Sequence, residues 1–335
     1  MYPPIEPHAH GWVHRPDGAE IFWEESGAPG GRPALYLHGG PGGGLGRGGY
    51  RRRFDPAVYR TIGIDQRGCG RSRPLATDDL AHLDGNTTAA LIADIEAVRE
   101  HLGVERWLVH GVSWGSTLAL AYALAHPDHV AEVIVAAVTT TSREEVEWIT
   151  ETVGAVFPEA WERFAAVRRT GERVVDAYAR LLRDPDPQVR ARAADEWDAW
   201  EATHVSLDPL HSTFTPGQRQ PGPVQPAPLQ PAPLQPAPLH EDATARAVFA
   251  TLVTHYWAHD GFLTGADRIL NRVGELAGIP GVLIHGRHDV SGPAITAWRL
   301  HRAWPGSRLH IVETEGHGGP EMMELVAQAA DAFAR

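Results

Sequence analysis

The chain has 335 residues, 43% of them hydrophobic and 21% charged, with a formal net charge of -12 and all 30 of its basic residues arginine. That length can bury a large core, as one big domain or a core plus an insertion, and the composition is that of an ordinary soluble globular protein. The acidic balance argues against nucleic acid or an anionic membrane as partner. No stretch approaches the about 18 apolar residues of a membrane span. The start, Met1-Tyr2-Pro3-Pro4-Ile5-Glu6-Pro7, lacks a basic-then-apolar signal peptide. One cysteine, Cys69, excludes an internal disulfide and suits a reducing cytoplasm.

Residues 10–26 read as a strand pair around the turn Arg15-Pro16-Asp17-Gly18. Pro33 to Leu37 is a short apolar strand running into His38-Gly39-Gly40-Pro41-Gly42-Gly43-Gly44, a loop whose backbone amides can approach an anion. Tyr59 to Ile64 is another strand, ending in Asp65-Gln66-Arg67-Gly68-Cys69-Gly70-Arg71-Ser72. An aspartate there usually organises its own turn, and Cys69 lacks the basic, helix-opening context of a nucleophile, so it reads as a buried structural thiol. Thr87 to Leu102 carries apolar residues at helical spacing and stops at Gly103. Arg106 to His110 reads as a buried strand, and Ser116 to Ala125 as a helix.

Between them lies Gly111-Val112-Ser113-Trp114-Gly115. A serine flanked by glycines two before and two after, between a strand and a helix, is the nucleophile-elbow pattern. The turn holds the serine in a strained backbone, and a side chain at either glycine would collide with the neighbouring strand or helix. Val130 to Ala136 is the next strand. Alternating strands and helices predict a mainly parallel sheet.

From about Thr139 the pattern becomes helical, broken at Pro158, Gly171 and Pro185-Asp186-Pro187, and it reads as a cap inserted between two core strands. The expected division is a core of residues 1–138 and 275–335 and a helical cap of 139–274. Residues 220–239 run Gln-Pro-Gly-Pro-Val, then Gln-Pro-Ala-Pro-Leu repeatedly, which favours polyproline II and would span ~60 Å fully extended. This repeat reads first as a low-complexity insertion in the cap and second as a docking strip for an aromatic groove. Helical pattern resumes at Thr244 to Trp257 and Asp267 to Ala277. Then come a strand at Val282 to His285, a helix at Ile295 to Trp304, a strand at Arg308 to Glu313 and a closing helix over 320–334.

Ser113, Asp289 and His317 follow one another in the order nucleophile, acid, base, each just past a strand end. Imidazole titrates near neutrality and can take the serine's proton and return it to the leaving group. Asp289 would fix the imidazole tautomer and stabilise its charged form. The oxyanion needs backbone donors, from Trp114 and Gly40, and losing one typically costs ~3 kcal/mol of barrier. His38, His110 and His285, also at strand ends, compete for the base; Glu313 and Glu315 compete for the acid. Most of the 19 histidines read as surface or structural, and neither metal nor cofactor is expected.

The His38–Gly44, Asp65–Ser72 and Gly111–Leu120 segments, with Trp200-Glu201, His255-Tyr256, His285-Gly286-Arg287-His288-Asp289 and Gly316-His317, resemble the proline iminopeptidases. The resemblance implies an α/β-hydrolase fold, a peptide substrate, no cofactor, and release of N-terminal proline through an acyl-enzyme. It also implies two cap glutamates for the substrate's ammonium, which needs carboxylate partners when buried. Glu201 falls on the first; Val253 stands where the second belongs, with Glu147, Glu151 or Glu241 as substitutes. The family's cap aromatics also look replaced near Thr139-Thr140-Thr141. Two alternatives follow: an esterase or amidase on small uncharged acyl substrates, and a non-catalytic scaffold that binds a partner through the proline strip. The reading leaves room for a homo-oligomer.

Overall fold

The computed structural model describes residues 1–205, 239–240 and 242–335. Its strands are β1 (Ala9–His14), β2 (Glu20–Gly27), β3 (Arg32–Leu37), β4 (Tyr59–Ile64), β5 (Trp107–Val112), β6 (Val130–Ala136), β7 (Gly281–Gly286) and β8 (Ser307–Val312). They form one eight-stranded sheet ordered β1-β2-β4-β3-β5-β6-β7-β8. β1 and β2 form an antiparallel hairpin, β2 also pairs antiparallel with β4, and the remaining pairings are parallel. This is the mainly parallel sheet expected from the alternation of strands and helices, in the α/β-hydrolase architecture that the resemblance implies.

The central strands are apolar on both sides and sort their residues by the period of two. Leu35, Val109, Val133 and Leu283 enter one core cluster with α1 (Thr88–His101), α2 (Trp114–Ala125) and, from farther along the chain, Ala297 and Leu300. Ala34, Leu108, Ile134 and Val282 point the other way, against Met322 and Val326 of the closing helix. Two covered faces explain why the strands read as continuous hydrophobic runs.

Between β6 and β7 the described elements are helical: α3 (Arg143–Thr150), α4 (Pro158–Ala165), α5 (Val174–Leu181), α6 (Pro187–Val205), α7 (Ala243–Ala258) and the short α8 (Ile269–Arg272). The breaks fall at or beside the prolines and glycine that the sequence marks. A Ser142/Glu145 capping box opens α3. Helices α3–α7 share a cluster of their own around Phe164, Tyr178, Trp197 and Trp200. The chain then continues through α9 (Ile295–Ala303) and closes on α10 (Pro320–Ala334). The proline repeat lies outside the described residues except for Leu239, whose amide donates to Asp198 Oδ2 at 3.0 Å.

Candidate active site

β5 delivers Ser113 into α2 through a turn with no room for side chains. A Cβ on Gly111 would sit 2.0 Å from the Gly115 carbonyl oxygen, and one on Gly115 2.1 Å from that of Leu37. Ser113 itself has φ 56 and ψ -126, a conformation non-glycine residues rarely adopt. The helix opens at Trp114, two residues before the apolar pattern suggests, so the turn is shorter than the sequence reading allowed.

His317 Nε2 lies 2.9 Å from Ser113 Oγ, and its Nδ1 lies 2.8 Å from Asp289 Oδ2. Residues widely separated in the chain thus form one hydrogen-bonded line at the C-terminal rim of the sheet. With Nδ1–H donated to the carboxylate, Nε2 is left to accept the serine hydroxyl. Asp289 is buried, which by itself raises its carboxyl; the imidazole of His317, His285 and the Gly292 amide outweigh this and hold it below the usual range.

The competing residues have other work. His38 donates to Gly39 O and accepts from the Gln66 amide; His110 donates to Ile134 O and accepts from Arg53. His285 donates to Gly292 O and accepts from the Val138 amide, tying the end of β6 to the loop that carries Asp289. Both ring nitrogens of each are occupied by structure. Glu313 pairs with exposed Arg287, and Glu315 accepts from the Glu321 and Met322 amides at the start of α10. Glu315 thereby anchors the loop that carries His317, and its carbonyl accepts from the His288 amide in the Asp289 loop. Asp65 organises its turn, accepting from the Leu45 and Arg71 amides. Cys69 is fully buried, and burial pushes its thiol well up.

Gln66 was given no role in the sequence reading. Its Oε1 accepts from the Trp114 indole at 2.8 Å, and its Nε2 donates to the His38 carbonyl at 2.9 Å. It therefore joins the two segments that carry the expected oxyanion donors, Gly40 and Trp114. Its position next to Asp65, in a loop just past a strand end, was the available signal.

A cavity of about 330 Å³, counted with its open mouth, is lined by Gly40, Ser113 and Trp114 on one side and by Thr139, Thr141, Glu145, Trp257 and Ser291 on the other. Glu145 had no role in the sequence reading; its carboxylate accepts from the Thr140 and Ser142 amides and so shapes the Thr139–Thr141 wall.

Against known proteins, a family model described as alpha/beta hydrolase fold matches residues 33–321. A probable proline iminopeptidase of Streptomyces coelicolor is 43% identical over 100% of this chain and 98% of its own length. Proline iminopeptidases of Xanthomonas citri and Arabidopsis thaliana are 38% and 37% identical over 100% and 96% of this chain, and 99% and 78% of theirs. The chain belongs to the proline iminopeptidase family. Among solved structures, VinJ aligns with TM-score 0.61 at 18% identity over 98% of this chain and all of its own, which supports the fold alone.

Within this proline iminopeptidase family member, α6 carries Glu201 into the interior, 7% exposed. Burial pushes its carboxyl up to about 7, against the opposing pull of nearby His317. One helical turn on, His204 Nε2 lies 3.4 Å from Glu201 Oε2. Val253 is fully buried in the helical cluster with Trp197 and Trp200, so no carboxylate comes from that position. Of the substitutes, Glu147 is exposed and Glu151 accepts from the Val174 amide and Arg168; Glu241 lies outside the described residues. Among the described residues one group has metal-like spacing, Glu96 with His126 and His129, and Arg99 already grips both oxygens of that glutamate. No helix among the described residues is long and apolar enough to cross a membrane.

Proposed function

We propose that the protein releases N-terminal proline from peptides, with Ser113 as nucleophile, His317 as base and acid, and Asp289 as the group that orients it. Ser113 Oγ attacks the scissile carbonyl while its proton passes to His317 Nε2. The amides of Trp114 and Gly40 donate to the oxyanion in the tight glycine-lined loop. Collapse breaks the C–N bond, His317 protonates the departing amine, and a prolyl ester of Ser113 remains. Water, giving its proton to His317, then cleaves the ester and restores the serine. Residues 139–274 act as a helical cap over this site, and the enzyme works in the cytoplasm, where its single buried thiol needs no partner.

The exopeptidase reading rests above all on Glu201, a buried carboxylate close enough to His317 to feel its charge. A free terminal ammonium at the cleavage site is the cation such an acid would hold. The test is a panel of free-amine prolyl and alanyl arylamides, N-blocked prolyl arylamide and simple p-nitrophenyl esters, on wild type and Ser113→Ala. Free prolyl arylamide is cleaved and the blocked one is not; equal turnover of both would remove the exopeptidase reading. Val253 favours a second reading, an esterase or amidase on uncharged acyl groups, for which the esters alone would turn over.

A further inference from the structure

His204 is 2% exposed, and its Nε2 has no hydrogen-bond partner among the described residues. Leaving a buried nitrogen this way costs stability, which a well-packed chain tolerates where a ligand meets it. The other nitrogen is engaged: Nδ1 lies 2.8 Å from Ser291 Oγ, and Ser291 lines the cavity that contains Ser113. The same nitrogen that lacks a partner faces Glu201 Oε2 at 3.4 Å. Burial, with the charge of nearby His317 adding to it, holds the imidazole down to about 3, so it is neutral at physiological pH. With Nδ1–H donated to Ser291, Nε2 presents its lone pair on the side of the ring where Glu201 Oε2 lies.

Resting on the aminopeptidase reading, we infer that His204 Nε2 is the second acceptor for the substrate's terminal amine, in place of the carboxylate that Val253 does not supply. The chemistry matches the substrate. A protonated N-terminal proline is a secondary ammonium with two N–H donors; one goes to Glu201 and the other to His204. A neutral acceptor beside one carboxylate satisfies both donors while balancing the single positive charge. The two residues sit three apart on α6, so one helix face sets their separation.

The experiment measures kcat/KM for prolyl arylamide relative to an uncharged p-nitrophenyl ester, in wild type, His204→Leu and His204→Glu. His204→Leu lowers that ratio tenfold or more, chiefly through KM. His204→Glu, which keeps an acceptor at the position, retains the ratio within about threefold. Wild type also prefers prolyl over N-methylprolyl arylamide, whose ammonium has one N–H, and His204→Leu narrows that preference. Because each readout is a ratio within one variant, partial loss of folded protein does not mimic it. An unchanged ratio in His204→Leu, equal losses on amide and ester, or collapse of the ratio in His204→Glu overturns the inference. If wild type itself fails on prolyl arylamide, it is the aminopeptidase reading that falls.

Discussion

The two halves of the candidate site are built on different principles. On the sheet side, Ser113, Asp289 and His317 are each fixed by backbone: a strained elbow, a loop tied by His285, and a loop anchored by Glu315. The three side chains are hydrogen-bonded in line, and bulk is excluded to within about 2 Å of neighbouring carbonyls at Gly111, Gly115 and Gly286. On the helical side, Glu201 and His204 hang from one face of α6 among tryptophans, with a raised carboxyl and an unpaired imidazole nitrogen. Chemistry is held rigid on one side. On the other, two buried polar groups stand without such backbone support, and this is where the proposed recognition of the substrate amine is located.

The largest effect that would sharpen this contrast is on the sheet side. Ser113→Ala should lower kcat by about 10⁴-fold or more on amide and ester alike, read by steady-state kinetics, because the base then has no nucleophile to activate. Gly115→Val should abolish soluble folded protein, since its first carbon would already lie 2.1 Å from a backbone oxygen that cannot move aside; a normal thermal melt would refute the steric account of the elbow.

Gln66→Leu should come next, lowering kcat about tenfold with KM little changed. It frees the Trp114 indole and the His38 carbonyl and loosens both oxyanion segments. An equal rise in KM instead would show that Gln66 shapes substrate binding.

The smallest effect concerns stability on the helical side. Glu201 is held at about 7 in the fold, above the usual carboxylate value of 4.5, so the native state keeps a proton that the unfolded chain releases. Its contribution therefore weakens as pH rises from about 4.5 to about 7 and is level above that. Glu201→Gln lacks this term, so its stability relative to wild type should improve by roughly 3 kcal/mol between pH 4.5 and pH 8, seen in paired urea melts. His110 and His204, both held at about 3 by burial, act oppositely: stability falls as pH drops from about 6.5 toward 3, because the unfolded chain takes up protons the fold refuses. A Glu201→Gln advantage that does not vary with pH would break the picture of an uncompensated buried acid.

Chain order together with strand-end, glycine-flanked turns marked Ser113, Asp289 and His317, because a parallel sheet brings strand ends to one rim and glycines mark the tight turns there. Strands β4 and β6 and helix α10 ran as the apolar periodicity suggested, since both faces of the sheet are covered and leave little ambiguity. Gln66 and Glu145 were not marked. Each acts through hydrogen bonds to backbone atoms whose approach depends on how loops pack, and a lone glutamine or helix-capping glutamate carries no periodic signal. His204 was one of many histidines, and its three-residue spacing from Glu201 gained meaning only once α6 was seen to bury that face.

Local sequence thus determined where the backbone turns sharply, which runs become strands, and which residue types could move a proton, since glycine sterics and hydrophobic period act within a few residues. Tertiary structure alone decided that the competing histidines His38, His110 and His285 have both nitrogens spent on structure. It also decided that Val253 packs against tryptophans while Glu201 stands beside a neutral imidazole. Desolvation and hydrogen-bond pairing depend on what the rest of the chain brings within a few ångströms, and no stretch read by itself contains that.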